Sequence, residues 1–139
     1  MKKINMKKIT PFLFPLLMVA LLIYACDDTI TASDLDNVKI PDSNVSYSKY
    51  IQPIFNGKCG AVNGCHDTES QKGGVILSSW STVRNYEIVV PGNIANSKLV
   101  WAIEGIGATL MPPQGVVNPL TKNQIAGIKT WIKEGAENN

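Results

Sequence analysis

Cys59-Gly60-Ala61-Val62-Asn63-Gly64-Cys65-His66 is the stretch on which the reading of this 139-residue chain turns. The chain has three cysteines and one histidine, and this octet holds the histidine and two of the cysteines. A thiol pair beside an imidazole points to three chemistries. In the pattern Cys-x-x-Cys-His, two thiols add to the vinyl groups of a haem while the adjacent histidine sits beneath the iron. Here the Cys65-His66 half is intact and the spacer is five residues long. Gly60, Asn63 and Gly64 suit the extra residues to a loop. That loop either delivers Cys59 to its vinyl or leaves a haem on the single thioether of Cys65. A Cys59–Cys65 disulfide across the same loop is geometrically feasible. Zinc fits least, since no second Cys/His pair exists to complete a tetrahedral site.

Working outward, Tyr47, Tyr50, Ile51, Ile54 and Phe55 recur at i, i+3, i+4, i+7 and i+8, one apolar helical stripe with Ser46 as its cap. Pro53 lacks the N–H of an interior position, so it sits in the first turn of a shorter helix or kinks a longer one. At the far end, Thr121 and Gln124 match a capping box, and Ile125, Ile128, Trp131 and Ile132 form an apolar face up to Gly135 as the stop. Shorter helices are expected over Trp80 to Asn85 after Ser79 and over Lys98 to Glu104 after Ser97. No period-2 alternation argues for a sheet. The expected domain, residues 47–139, is therefore small, all-α and rich in loops. Its core is modest, and a cofactor or crosslink inside would help hold it together.

Met111-Pro112-Pro113-Gln114-Gly115 puts a thioether on a loop that its prolines stiffen. A histidine-held haem iron wants a sixth ligand. Thioether sulfur favours ferrous iron, raises the potential and blocks the position where oxygen or peroxide would bind.

The amino terminus reads as an address. Lys2, Lys3, Lys7 and Lys8 precede an apolar run from Phe12 to Ala25 broken only by Pro15, which is short for a membrane span and suited to a signal-peptide core. Leu22-Ile23-Tyr24-Ala25-Cys26 resembles a bacterial lipoprotein signal, with cleavage after Ala25 and lipidation of Cys26 giving a stable anchor. A general secretory signal and an uncleaved short anchor are the other readings. Each places the rest of the chain outside the cytoplasm, in the periplasm or facing the cell exterior, where thiols are usually oxidised or covalently used. Met1, Met6 and Met18 leave with a 1–25 signal, so Met111 is the methionine of the mature chain. Asp27 to Ser46 is polar and acidic, which makes residues 26–46 a lipid-anchored tether, with a short edge segment packing on the domain as the alternative.

At 45% hydrophobic and 17% charged residues, collagen-like, coiled-coil and disordered compositions are excluded. The formal charge of +2 belongs to the leader: from Cys26 onward nine basic residues face eleven acidic ones. A nucleic-acid partner is not supported.

Together the motifs resemble a class I cytochrome c domain, most closely the planctomycete-type cytochrome c family. They are Tyr50-Ile51-Gln52-Pro53-Ile54-Phe55, Lys58-Cys59, Cys65-His66-Asp67, Gly73-Gly74-Val75-Ile76-Leu77, Val90-Pro91-Gly92-Asn93, Ser97-Lys98-Leu99, Met111-Pro112-Pro113 and Ile128 to Ala136. The resemblance implies a few helices and long loops around one covalently bound haem c, with the first and last helices crossing near Phe55 and Trp131. It implies Cys59 and Cys65 as thioether positions, His66 as proximal ligand and Met111 as distal ligand. Leu77, Pro91, Leu99, Trp101 and Pro112 are candidates to line the pocket, with ordinary core as the alternative. The implied function is a membrane-tethered electron carrier, not an enzyme, serving other extracytoplasmic redox proteins or a larger redox enzyme. Lys49, Lys58, Lys72 and Lys98 are candidates to ring the haem edge and steer an acidic partner. Two other classes stand beside it: a haem-less interaction domain stapled by a Cys59–Cys65 disulfide, and a peroxidase or gas sensor, which needs an open sixth position that Met111 argues against.

Overall fold

The computed structural model describes residues 32–60 and 64–139, and among them there are helices, turns and loops but no strand. The expected leader, Cys26 and spacer residues 61–63 lie outside the described residues. No helix among the described residues is long and apolar enough to cross a membrane.

The stripe before the octet forms one continuous helical run over residues 47–59 in three registers. It opens as a π-helix (Tyr47–Ile51), passes through a short α-helix (Gln52–Ile54) and closes as a π-helix (Phe55–Cys59). Ser46 accepts the Lys49 N–H at its start. Of the two readings of Pro53, the longer helix holds. The proline ring crowds the carbonyl one turn back and offers it no N–H. The preceding turn is widened, with the Gln52 N–H on the Tyr47 carbonyl, and a π turn of this kind accommodates such an interruption. Tyr47, Ile51, Ile54 and Phe55 are buried along the run.

Among the described residues, four α-helices lie outside it: α1 (Ala32–Asn37), α2 (Trp80–Val83), α3 (Lys98–Glu104) and α4 (Lys122–Lys133). The capping box of α4 is present, since Thr121 Oγ1 accepts from the Gln124 N–H and the Gln124 side chain accepts from the Thr121 N–H. Its apolar face puts Ile128, Trp131 and Ile132 in the core. Gly135 follows the helix at φ +106°, a conformation that suits glycine. α2 is shorter than expected, ending at Val83, while α3 has the expected bounds.

α4 packs against the Tyr47–Ile51 segment, and the aromatic contact there is made by Tyr47. Its ring lies 5.2 Å from that of Trp131 and 6.5 Å from that of Phe55, so it links the two aromatics on which the crossing was expected. The indole N–H of Trp131 donates to the Glu137 carbonyl and that of Trp80 to the Ala136 carbonyl, so each indole has its polar edge satisfied. Beyond α4 the chain returns to the start of the first helix. The Glu134 carboxylate accepts the Asn44 and Val45 N–H groups, and Asn139 accepts from Tyr47 and Ser48.

The stretch expected as a tether is part of this packing as far back as α1. Leu35, Ile40 and Val45 are buried, and Asn123 holds the Ile40 backbone at both N–H and carbonyl. A Cβ on Gly127 would lie 2.6 Å from Ile40 Cγ2, and one on Gly57 would lie 2.4 Å from Leu35 Cδ1. Residues 35–46 therefore behave as the edge segment of the alternative reading, and a boundary at Tyr47 is too late. Three apolar side chains with close-fitting partners outweigh the acidic composition.

Candidate functional site

The first helix ends where the Gly60 N–H donates to the Phe55 carbonyl at 2.7 Å. Beyond the spacer, the His66 N–H donates to the Cys59 carbonyl at 3.0 Å. That bond brings Cys59 and Cys65-His66 together despite the long spacer. This second segment is held at the Cys65 carbonyl by the Lys72 N–H and the Ser70 hydroxyl, and at the His66 carbonyl by the Leu77 N–H. Asp67 turns the chain beyond it by accepting the Glu69 and Ser70 N–H groups. The Ser70 N–H, its hydroxyl and the Glu69 N–H hold the Asp67 carboxyl below its ordinary range.

The imidazole of His66 has Nδ1 at 3.3 Å from the Val75 carbonyl. A carbonyl only accepts, so Nδ1 carries a proton, and in the neutral imidazole it is Nε2 that has the lone pair for a ligand. No disulfide joins Cys59 and Cys65. Burial pushes the Cys59 thiol up to about 12, with the Lys58 charge pulling the other way. Cys65 has the Lys72 ammonium 3.6 Å from its sulfur. Among the described residues, no group of three or more His, Cys, Asp or Glu side chains is placed to hold a metal ion.

These groups open onto a cavity of about 670 Å³. Cys59, Cys65 and His66 belong to its lining, and so does Met111, which is half-buried with its N–H on the Ala102 carbonyl at 2.8 Å. Of the residues named as pocket candidates, Leu77, Leu99 and Pro112 line this cavity, together with Val75, Ile88, Ala102 and Ile103. Pro91 and Trp101 do not. Leu99, Ala102 and Ile103 lie at i, i+3 and i+4 and form the cavity face of α3, whereas Trp101 lies off that face, 36% exposed, its indole N–H on the Ala95 carbonyl. Pro91 leads into a turn tied to α4 by the Gly92 N–H on the Ile132 carbonyl.

The lysines divide in the same way. Lys72 and Lys98 are exposed members of the lining, and Lys49 lies over the Tyr50 ring, away from the cavity. Lys58 is buried, so it cannot act as a steering charge on the surface. The lining residues the sequence did not single out divide too. The i, i+3, i+4 spacing on α3 carried a signal for Ala102 and Ile103, while Val75, Ile88, Val116 and Val117 sit outside the regular helices where no periodicity marks them.

Residues 63–115 match the family model described as planctomycete cytochrome C. That segment is of the planctomycete-type cytochrome c family. The match takes in Cys65, His66 and Met111 and stops short of Cys59, the first helix and α4, so it is narrower than the run of motifs that carries the resemblance. No curated protein and no solved structure matches the chain.

Proposed function

We propose that this chain is a monohaem c-type cytochrome, tethered to the membrane outside the cytoplasm, that carries electrons between redox partners. The observation that carries the reading is that Cys65-His66 and Met111 share one largely apolar cavity, with Nε2 of His66 left as the ligating nitrogen. A haem fits this donor set. The cavity volume also falls among the roughly 300–1,000 Å³ of sites that bury a small ligand or cofactor. Cys59 and Cys65 would hold the haem by thioethers, and His66 and Met111 would be the residues that ligate its iron. The bound group supplies reversible one-electron chemistry.

The protein's own residues do the rest. The Val75 carbonyl fixes the imidazole tautomer and strengthens its basicity. Leu77, Leu99 and Ile103 exclude water and, with a thioether ligand, favour the ferrous state. Met111 would occupy the position that a peroxidase or gas sensor keeps open. A lipid on Cys26 would keep the domain at the membrane, within reach of other redox proteins or a larger redox enzyme.

The test is to express the full chain in a host equipped for cytochrome c maturation and record spectra before and after dithionite, with a denatured pyridine haemochrome alongside. Haem retained through denaturation is expected, its haemochrome position separating two thioethers from one. The weak far-red band of the oxidised protein should vanish in Met111→Ala. Colourless protein from a host that matures a control cytochrome would overturn the reading and leave the haem-less interaction domain.

A further inference from the structure

Lys58 reads as a surface cation in the sequence, and its side chain is fully enclosed in the structure. The ammonium is paired with the Asp36 carboxylate and donates to the Pro119 carbonyl at 2.9 Å. Asp36 belongs to α1 and is itself held by α4: the buried Gln124 amide donates to Asp36 Oδ1 at 3.3 Å and to the Leu35 carbonyl at 3.0 Å. Lys58 precedes Cys59 and lines the same cavity as His66 and Met111. The other charged residues of that lining, Lys72, Glu87 and Lys98, are exposed to solvent and screened by it.

A buried charge acts through surroundings that screen little, so it bears on any charge that changes inside the cavity. The geometry points to Asp36 as a positioning residue that sets the reduction potential of the bound haem through Lys58, an inference that rests on the haem reading above. Paired, Lys58 and Asp36 form a nearly neutral dipole behind the wall, since Lys58 lines the cavity and Asp36 does not. Unpaired, Lys58 is a full positive charge that disfavours the iron with the extra charge, the ferric form, and raises the potential. The segment before the cytochrome domain would thus be an electrostatic part of it.

An equilibrium redox titration of the full, matured chain tests this. Asp36→Asn should shift the balance toward reduced protein about tenfold, which is 59 mV for one electron. Lys58→Met should shift it the opposite way. The double variant Lys58→Met/Asp36→Leu, which removes both charges of the pair, should return close to the parent and covers the case in which a single variant fails to fold. The Lys58→Met shift should weaken at high ionic strength more than the Asp36→Asn shift, because the charge left behind in the first is the partly exposed Asp36 carboxylate and in the second the enclosed Lys58 ammonium. Unchanged potentials in variants that retain haem and the parent spectrum would overturn the inference alone. A parent chain that matures no haem would overturn the haem reading and this inference with it.

Discussion

The half of the molecule where the first helix meets α4 is closed, whereas the half built from the loops around Cys65 and Met111 is hollow. In the closed half Tyr47 joins Trp131 to Phe55, both indoles have carbonyl partners, and Gly127 leaves just enough room for Ile40. In the hollow half the walls face a space of about 670 Å³, and near Met111 the apolar Ile106, Leu110 and Val116 are exposed. Side chains that border a void lack partner atoms on one side and forfeit part of their dispersion energy. The two halves should therefore respond differently to the same kind of damage, and a ligand that fills the cavity should stabilise the hollow one.

The largest effect is expected from Trp131→Ala. It removes a fully buried indole from the closed half and should cost about 3–5 kcal/mol of unfolding free energy in denaturant titration, whether or not a cofactor is bound. A loss below about 1 kcal/mol would erase the distinction between the halves. Leu99→Ala removes a buried side chain that borders the cavity, so in chain prepared without a cofactor it should cost about 2 kcal/mol, the low end for such truncations. An equal loss at both sites would mean that the hollow half is as tightly packed as the closed one.

The smallest effect concerns the turn at Asp67. Because its carboxyl is held below its ordinary value, its contribution is present above about pH 3.9, the unfolded value, and is lost as pH falls through the folded one. Asp67→Asn keeps an acceptor oxygen for the same N–H groups, so stability near neutral pH should barely change while the acid limb of a stability-against-pH curve flattens. Superimposable acid limbs would remove this turn from the account.

The closed half was the more legible in sequence. Thr121 and Gln124 announced the start of α4 because a capping box is a local pattern; α3, in the wall of the hollow half, also kept its expected bounds, although Ser97 makes no side-chain cap there. The burial of residues 35–46 was not legible. Leu35, Ile40 and Val45 are spaced five apart, which matches neither a helical nor a strand period, and polar residues such as Asp36, Asn37, Asp42 and Ser43 lie between them. Lys58 was misread because its partner Asp36 is 22 positions away and no local rule pairs them. At the cavity, Cys59, Cys65, His66 and Met111 stood out because their side chains carry rare chemistry. Trp101 lies off the α3 face formed by Leu99, Ala102 and Ile103, which the helical spacing could have told, whereas Pro91 sits in a loop where no periodicity marks a face.

The bonds from Glu134 and Asn139 back to residues 44–48 also have a consequence in time. A chain that emerges amino end first presents Cys59 and Cys65 long before the residues that fasten the start of the first helix. The closed half cannot shut until the tail arrives. Throughout that interval both thiols have emerged while the bonds from residues 134–139 to the start of the first helix are still unmade.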